Sequence, residues 1–425
     1  MHRPHLAPWL LAPCAALFLF LALPWHGTAA GAEAEPASTQ ALVPAEATPD
    51  ATPAASNASV ASAPGSTQPV LGAMALDAKT GRYVAPYGSG QAVLSVSPRI
   101  QKGLEKLLAD YRVPVGAAVL LEPRTGRVIA LAEHVEKGPR SHVALHPVAP
   151  AASVFKIVTG AALLERGITP ESEVCFHGGK HRIQKALLAD DPRRDRRCLT
   201  LASAHGKSAN VVFAKLAGRD LSSELLRAEA SRFLFDAPIP FEWPVEPSPA
   251  RISDDPFELA TTAAGFGPVR LSPLHGAIIA ALVANGGTFV PPRLVEGVDG
   301  VAPPPAPEAR QLLRPEIASA LARMMQTTVT EGTARKVFRR DRYARGSPLR
   351  EVTVAGKTGS LAEATPYRDT SWFVGFAPVE DPQIAVAVVV VNERLWRVKA
   401  SFVAHEALKA YFAEDAPKGV RTAAR

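Results

Sequence analysis

Ser153 and Lys156 are the only serine and lysine in the 425-residue chain with the lysine three residues after the serine. Residues three apart share one face of a helix, so hydroxyl and amine can meet there. A hydroxyl beside an amine is a nucleophile beside its potential base. The stretch Pro150-Ala151-Ala152-Ser153-Val154-Phe155-Lys156 predicts the start of a helix that runs to about Arg166. In that reading Pro150 stands near the first helical position, and Gly167 is the glycine stop. Two further clusters lie downstream. Lys207-Ser208-Ala209-Asn210 falls in a helical context between Leu201 and Leu216, and Gly356-Lys357-Thr358-Gly359-Ser360 closes a strand. Lys79-Thr80-Gly81 copies part of the last cluster, but it precedes the serine and reads as a hairpin turn, as does Arg124-Thr125-Gly126.

The elements that must hold these residues can be read from periodicity. Leu76 to Val84 predicts two strands around a Thr-Gly turn. Ser97 predicts a helix cap with Pro98 in the first turn, and Ile100, Leu104, Leu107, Leu108 and Tyr111 give that helix one buried face. Val115 to Leu121 and Arg127 to Leu131 predict two strands. Ser153 to about Thr330 is mostly helical and rich in loops; within it Pro273 to Asn285 is apolar nearly all round, a buried helix that stops at Gly286-Gly287. Strand signals return at Val352–Ser360, Ser371–Ala377 and Ile384–Val391, before a last helix from about Ala400 to Phe412. Two strands, a helical insertion and three strands make one α/β domain whose sheet halves are distant in sequence.

A hydrophobic content of 47% in a chain of this length supports a large core. The net charge of +7 belongs to the globular part, because no Lys or Arg stands between Arg3 and Lys79. The basic excess is diffuse, and no zinc-finger spacing or aromatic-basic interleaving points to nucleic acid. Residues 1–32 carry an apolar run from Trp9 to Leu23 followed by small residues at Thr28-Ala29-Ala30, the pattern of a signal peptide or a membrane anchor. Residues 33–75, rich in Ala, Pro, Ser and Thr, read as a disordered linker. The domain proper is then 76–425, exported to the cell envelope and held at the membrane only if the N-terminal segment is retained.

S-x-x-K, S-x-N and K-T-G in this order resemble the penicillin-recognising acyltransferases, which comprise the penicillin-binding transpeptidases and the serine β-lactamases. The resemblance spans about Val115 to Phe412 and includes Ala263-Ala264-Gly265-Phe266-Gly267-Pro268-Val269, Gly332-Thr333-Ala334 and Trp372-Phe373-Val374-Gly375. It implies an antiparallel sheet of about five strands flanked by the N- and C-terminal helices, with a large, mostly helical insertion. It also implies roles. Ser153 would be acylated by a D-alanyl-D-alanine stem peptide, with Lys156 as base and Ser208 relaying the proton to the leaving amine. Asn210 would hold the substrate amide, Lys357 and Thr358 its carboxylate, and Gly359 would let its backbone lie against the strand. The N–H groups of Ser153 and Ser360 would form the oxyanion hole.

Within the family, a deacylating glutamate in an E-x-x-L-N stretch would mark one β-lactamase class, and neither Glu242 nor Glu246 stands in one. The transpeptidase that cross-links peptidoglycan is therefore the leading expectation. Its partners are peptidoglycan stem peptides and β-lactams, with contact to other cell-wall synthesis proteins left open and no cofactor or metal needed. A D,D-carboxypeptidase or β-lactamase on the same fold, and a non-catalytic wall-binding or β-lactam-sensing module, are the alternatives. Cys175 and Cys198 are a disulfide candidate in an oxidising compartment; free thiols, or zinc with His177 and His181, remain open. The runs Arg193–Arg197 and Arg339–Arg342 read as solvated loops, with contact to an anionic polymer or lipid as the sharper alternative. Pro303-Pro304-Pro305 reads as a loop.

Overall fold

The computed structural model describes residues 73–138, 142–179, 183–298 and 308–414. The N-terminal segment 1–32, all but the last three residues of the linker, His181 and the Pro303–Pro305 loop lie outside the described residues. Strands β1 (Ala75–Leu76), β2 (Tyr83–Tyr87) and β3 (Gly90–Leu94) come first. The Asp77 carboxylate accepts the N–H groups of Lys79 and Thr80, and Gly81 adopts φ +68°, so Lys79-Thr80-Gly81 is the expected turn. Helix α1 (Pro98–Asp110) is capped by Ser97, whose Oγ accepts the Ile100 N–H, and it buries Ile100, Leu104 and Leu108. Then follow β4 (Val115–Leu121), β5 (Val128–Val135), β6 (Ala149–Pro150), a 3₁₀ turn over Ala152–Phe155 and α2 (Lys156–Glu165).

The insertion continues with the hairpin β7 (Glu173–Phe176) and β8 (Arg197–Thr200), then α3 (Leu201–Gly206), α4 (Asn210–Asp220), α5 (Ser223–Arg232) and α6 (Pro256–Ala263). After β9 (Arg270–Leu271) comes α7 (Pro273–Ala284), then β10 (Thr288–Phe289), β11 (Val295–Val298), β12 (Arg310–Gln311), α8 (Pro315–Thr330) and the single turn α9 (Arg335–Phe338). The chain closes with β13 (Ala355–Ala364), β14 (Tyr367–Ala377), β15 (Ile384–Asn392) and α10 (Ala400–Glu414).

The main sheet has the antiparallel order β13-β14-β15-β4-β5, the five strands expected. Val388 pairs with Ala118, so the last strand lies against the first hairpin. All nine residues of β15 are buried. Alternate residues serve opposite faces: Ala385, Ala387 and Val389 join one core, and Val386, Val388 and Val390 join the other. Helix α7 packs on β15, β14 and β4 on the first face, and α1 and α10 cover the second. This placement explains why α7 has no polar stripe: the sheet lies on one side and the rest of the insertion on the others. A second sheet, β1-β2-β3-β11, was not expected; β3 is five residues long and β11 four.

Three expectations need correction here. Pro150 is not in the first turn of a helix; it pairs with Arg270 in the two-stranded bridge of β6 and β9. The strand expected at Val352–Ser360 begins at Ala355 and runs on to Ala364. The two Arg-rich runs are not wholly solvated loops. The Asp195 side chain is only 6% exposed, with His177 Nδ1 at 2.5 Å and Lys215 Nζ at 2.7 Å. Asp341 is buried against His405 Nε2 at 2.5 Å and accepts the Ser347 hydroxyl at 2.6 Å. Each acid fixes its run to the fold while arginines beside it stay exposed.

Candidate active site

Ser153 sits in the 3₁₀ turn rather than on a regular helix. Ala152, before it, takes φ +50°, an unusual value for a residue with a Cβ. Gly265 (φ +93°) presses on this kink: a Cβ there would lie 2.5 Å from the Ala152 carbonyl oxygen and 2.9 Å from the Ser153 nitrogen. Only glycine fits. The 3₁₀ turn runs directly into α2, so Lys156, its first residue, points its amine back to the serine.

Lys156 is fully buried. Its Nζ lies 2.8 Å from Ser153 Oγ, 2.8 Å from Asn210 Oδ1 and 2.5 Å from the Ala264 carbonyl oxygen. Burial first, and then the positive charge of Lys357, hold this amine well below the usual ammonium range. A neutral amine donates two hydrogen bonds and accepts one. The carbonyl of Ala264 and the amide oxygen of Asn210 take the two donors. The lone pair is left for the Ser153 O–H, which is the arrangement a general base needs.

Lys207-Ser208-Ala209 is the break between α3 and α4, not part of a continuous helix, and Ser208 adopts φ +55°. The break brings the Ser208 hydroxyl within 2.9 Å of Lys357 Nζ and starts α4 at Asn210. Lys357, on β13, is also fully buried and donates to the Thr358 carbonyl at 2.8 Å. Burial pulls its amine down to about 7. Ser153, Ser208, Asn210, Thr358, Gly359 and Ser360 line one cavity of about 360 Å³. β13 is the sheet's outer strand, so its free edge faces this cavity. Every site residue read from the sequence is therefore brought together, with Lys156 and Lys357 just beneath the cavity wall.

With the trio assembled around a single cavity, comparison with known proteins decides the family. Residues 116–412 match the penicillin binding protein transpeptidase domain. The chain belongs to this family. Peptidoglycan D,D-transpeptidase PbpA of Mycobacterium tuberculosis is 29% identical over 371 residues, covering 77% of this chain and 72% of that protein. PbpA of Mycolicibacterium smegmatis is 27% identical over 370 residues, with the same coverage of 77% and 72%. Among solved structures, PBPA from M. tuberculosis superposes with a TM-score of 0.60 at 25% identity, covering 77% of this chain and 81% of that one. Pseudomonas aeruginosa PBP2 in complex with WCK 5153 gives 0.62 at 26% identity, covering 79% and 82%.

This penicillin-binding domain also uses residues that motif reading left without a role. Thr333 Oγ1 lies 2.5 Å from Thr358 Oγ1. A Cβ at Gly332 would lie 1.9 Å from the Gly206 carbonyl oxygen, so glycine lets the turn after α8 close on α3 and deliver Thr333. Ala264 serves through its carbonyl, which no side-chain motif can reveal. The buried Trp372 donates from Nε1 to the Pro150 carbonyl at 2.8 Å and ties β14 to the segment that leads into the Ser153 turn. Ser371, Lys399 and Ser401 also line the cavity.

Cys175 and Cys198 face each other across β7 and β8 and form a disulfide. The zinc alternative fails at these sulfurs, and His177 is engaged by Asp195. Lys215 on α4 binds Asp195 and donates to the Cys175 carbonyl at 3.2 Å. The stapled hairpin thus anchors the helix that carries Asn210. Glu242 accepts the N–H groups of Leu294 and Val295, and Glu246 pairs with His146 at the surface; neither lines the active cavity. No helix among the described residues is long and apolar enough to cross a membrane.

Proposed function

We propose that the protein is a serine D,D-transpeptidase that cross-links peptidoglycan and is inhibited by β-lactams. The observation that carries this reading is the buried Lys156 amine, 2.8 Å from Ser153 Oγ with its other two contacts supplied by Asn210 and Ala264. Ser153 attacks the penultimate D-alanyl carbonyl as Lys156 takes its proton. The oxyanion meets the N–H groups of Ser153 and Ser360. Ser208, bonded to Lys357, passes a proton to the leaving D-alanine, whose carboxylate rests on Lys357 and Thr358. A second stem peptide's amine then takes the acyl group. The relatives named D,D-transpeptidase support this choice, as do the solved penicillin G and imipenem acyl-enzyme complexes of penicillin-binding protein A from M. tuberculosis.

A hydrolytic member of the family needs a group that activates water on the acyl-enzyme. No carboxylate lines the cavity among the described residues, which favours transfer to an amine over rapid hydrolysis. The disulfide and the apolar N-terminal run support an envelope location. Labelling with a fluorescent penicillin tests the reading. The wild type should carry a stable label and Ser153→Ala none; an unlabelled wild type would sink the acyl-enzyme mechanism.

A further inference from the structure

The end of the main sheet where β13 turns into β14 and β15 gives way to α10 carries a surface that acyl transfer does not use. The exposed loop Glu393–Arg397 stands between the buried Asn392 and Val398. Asn392 Oδ1 accepts the Arg397 N–H at 3.0 Å and closes the base of the loop. Arg394 lies over the Tyr367 ring at 5.7 Å, Lys399 lies over the Trp396 ring at 5.5 Å, and Trp396 Nε1 donates to Asp369 Oδ2 at 2.6 Å. The loop is thus held in place, yet Leu395 is 61% exposed, Trp396 39% and Tyr367 38%. Large apolar side chains gathered on a held loop mark a contact surface. Two cavities, of about 520 and 270 Å³, meet at this loop and share Pro114, Glu393 and Arg397. Arg394 lines the first, and Arg112, Lys137 and Arg368 line the second. These five cations are exposed, and none is in an ion pair among the described residues. The only lining carboxylates are Glu393 and Glu136, and His134 engages the second at 3.1 Å.

We propose that this end of the sheet docks on an anionic phospholipid surface, with Leu395 and Trp396 entering the headgroup region and the five cations meeting phosphates. The proposal goes beyond acyl transfer and needs only the envelope location. An acidic wall polymer would neutralise the arginines but leave Leu395 in water, whereas a bilayer takes up both the charge and the apolar tip. Trp396 suits the interface, because its ring is apolar and its N–H already has a partner in Asp369. Lys399 also lines the Ser153 cavity, so docking holds that cavity close to the bilayer.

Hydrogen exchange of the full-length protein reads the contact locally, whatever the N-terminal apolar run does. Amides of the Glu393–Arg397 loop should exchange about fivefold more slowly on vesicles of phosphatidylcholine and phosphatidylglycerol, mixed about 7:3, than on phosphatidylcholine alone; about 0.5 M salt should remove most of the difference. Arg394→Glu/Arg397→Glu should abolish this protection while fluorescent penicillin still labels the protein, which reports an intact fold. Leu395→Ser should weaken it. Arg339→Glu/Arg350→Glu makes the same charge change beside Val354, before the other end of β13 and about 30 Å away along the strand, and should leave the protection in place. Equal protection on both vesicles, or on neither, overturns the docking surface. So does protection that survives Arg394→Glu/Arg397→Glu, or that Arg339→Glu/Arg350→Glu removes as well. Protection by isolated peptidoglycan and not by vesicles overturns it too, and assigns the surface to the wall polymer. Penicillin labelling of Ser153 is independent of all these outcomes, so the acyl-enzyme reading stands or falls separately.

Discussion

Replacing Gly265 with alanine should disable the nucleophile without removing a catalytic group. The new Cβ would lie 2.5 Å from the Ala152 oxygen, 2.7 Å from its carbonyl carbon and 2.9 Å from the Ser153 nitrogen. Ordinary carbon contacts begin near 3.5 Å, so the two backbones must part by about 1 Å. The displaced segment carries Ser153 and its N–H, proposed for the oxyanion hole, on one side and the Ala264 carbonyl that holds Lys156 on the other. A misplacement of about 1 Å costs about 10²-fold in rate. The φ of +93° adds about 1–3 kcal/mol of backbone strain for alanine. Gly286→Ala separates the two effects: its φ is +62°, but no atom of the described residues lies within 4 Å of the added Cβ. Stopped-flow acylation by a chromogenic β-lactam, with urea unfolding in parallel, reads both. Gly265→Ala should acylate about 10²-fold more slowly, whereas Gly286→Ala should lose about 1 kcal/mol of stability and keep its rate. A folded Gly265→Ala protein with wild-type acylation would refute the claim that this contact sets the serine.

Three further outcomes follow from the same geometry. Burial pulls Lys357 down to about 7, so this amine, the proposed carboxylate anchor, loses its charge as pH rises through that value. Second-order β-lactam acylation should therefore fall above about pH 7, and Lys357→Arg, a permanent cation, should abolish that falling limb; a limb that survives the change refutes the assignment. Thr333→Ala removes the partner of Thr358 and should lower kcat/KM for a D-alanyl-D-alanine donor about fivefold, mainly through KM. Reduction of the Cys175–Cys198 disulfide should lower stability by about 3 kcal/mol for a loop of this length, seen as a drop in the urea midpoint; an unchanged midpoint counts against the staple.

Side-chain chemistry was legible and backbone geometry was not. Ser153, Lys156, Ser208, Asn210, Lys357 and Thr358 announce themselves by type and order, because the role proposed for each resides in its own functional group. Thr333 is delivered by the turn after α8 and Ala264 contributes its carbonyl, and periodicity registers neither. Pro150 suits the first turn of a helix by propensity, but Arg270 pairs with it as a strand instead. The Val352–Val354 segment has strand-forming residues, yet Thr353 bonds Glu380 and the Val379 N–H, and the ladder with β14 starts only at Ala355. Asp195 and Asp341 were lost among arginines because composition cannot say which charge in a run turns inward. The main sheet was readable because β15 is apolar at every position that both cores require.

The pairing of Val388 with Ala118 joins residues some 270 positions apart. Loop closure over such a span is slow, and strands that await distant partners expose their edges meanwhile. β4 cannot be covered until β15 has been made, and β13, which completes the cavity, belongs to the same late segment. Competence to acylate should thus appear only after the C-terminal strands dock, at the end of folding. A nascent or truncated chain that already contains Ser153 and Lys156 should therefore stay chemically silent until those strands dock.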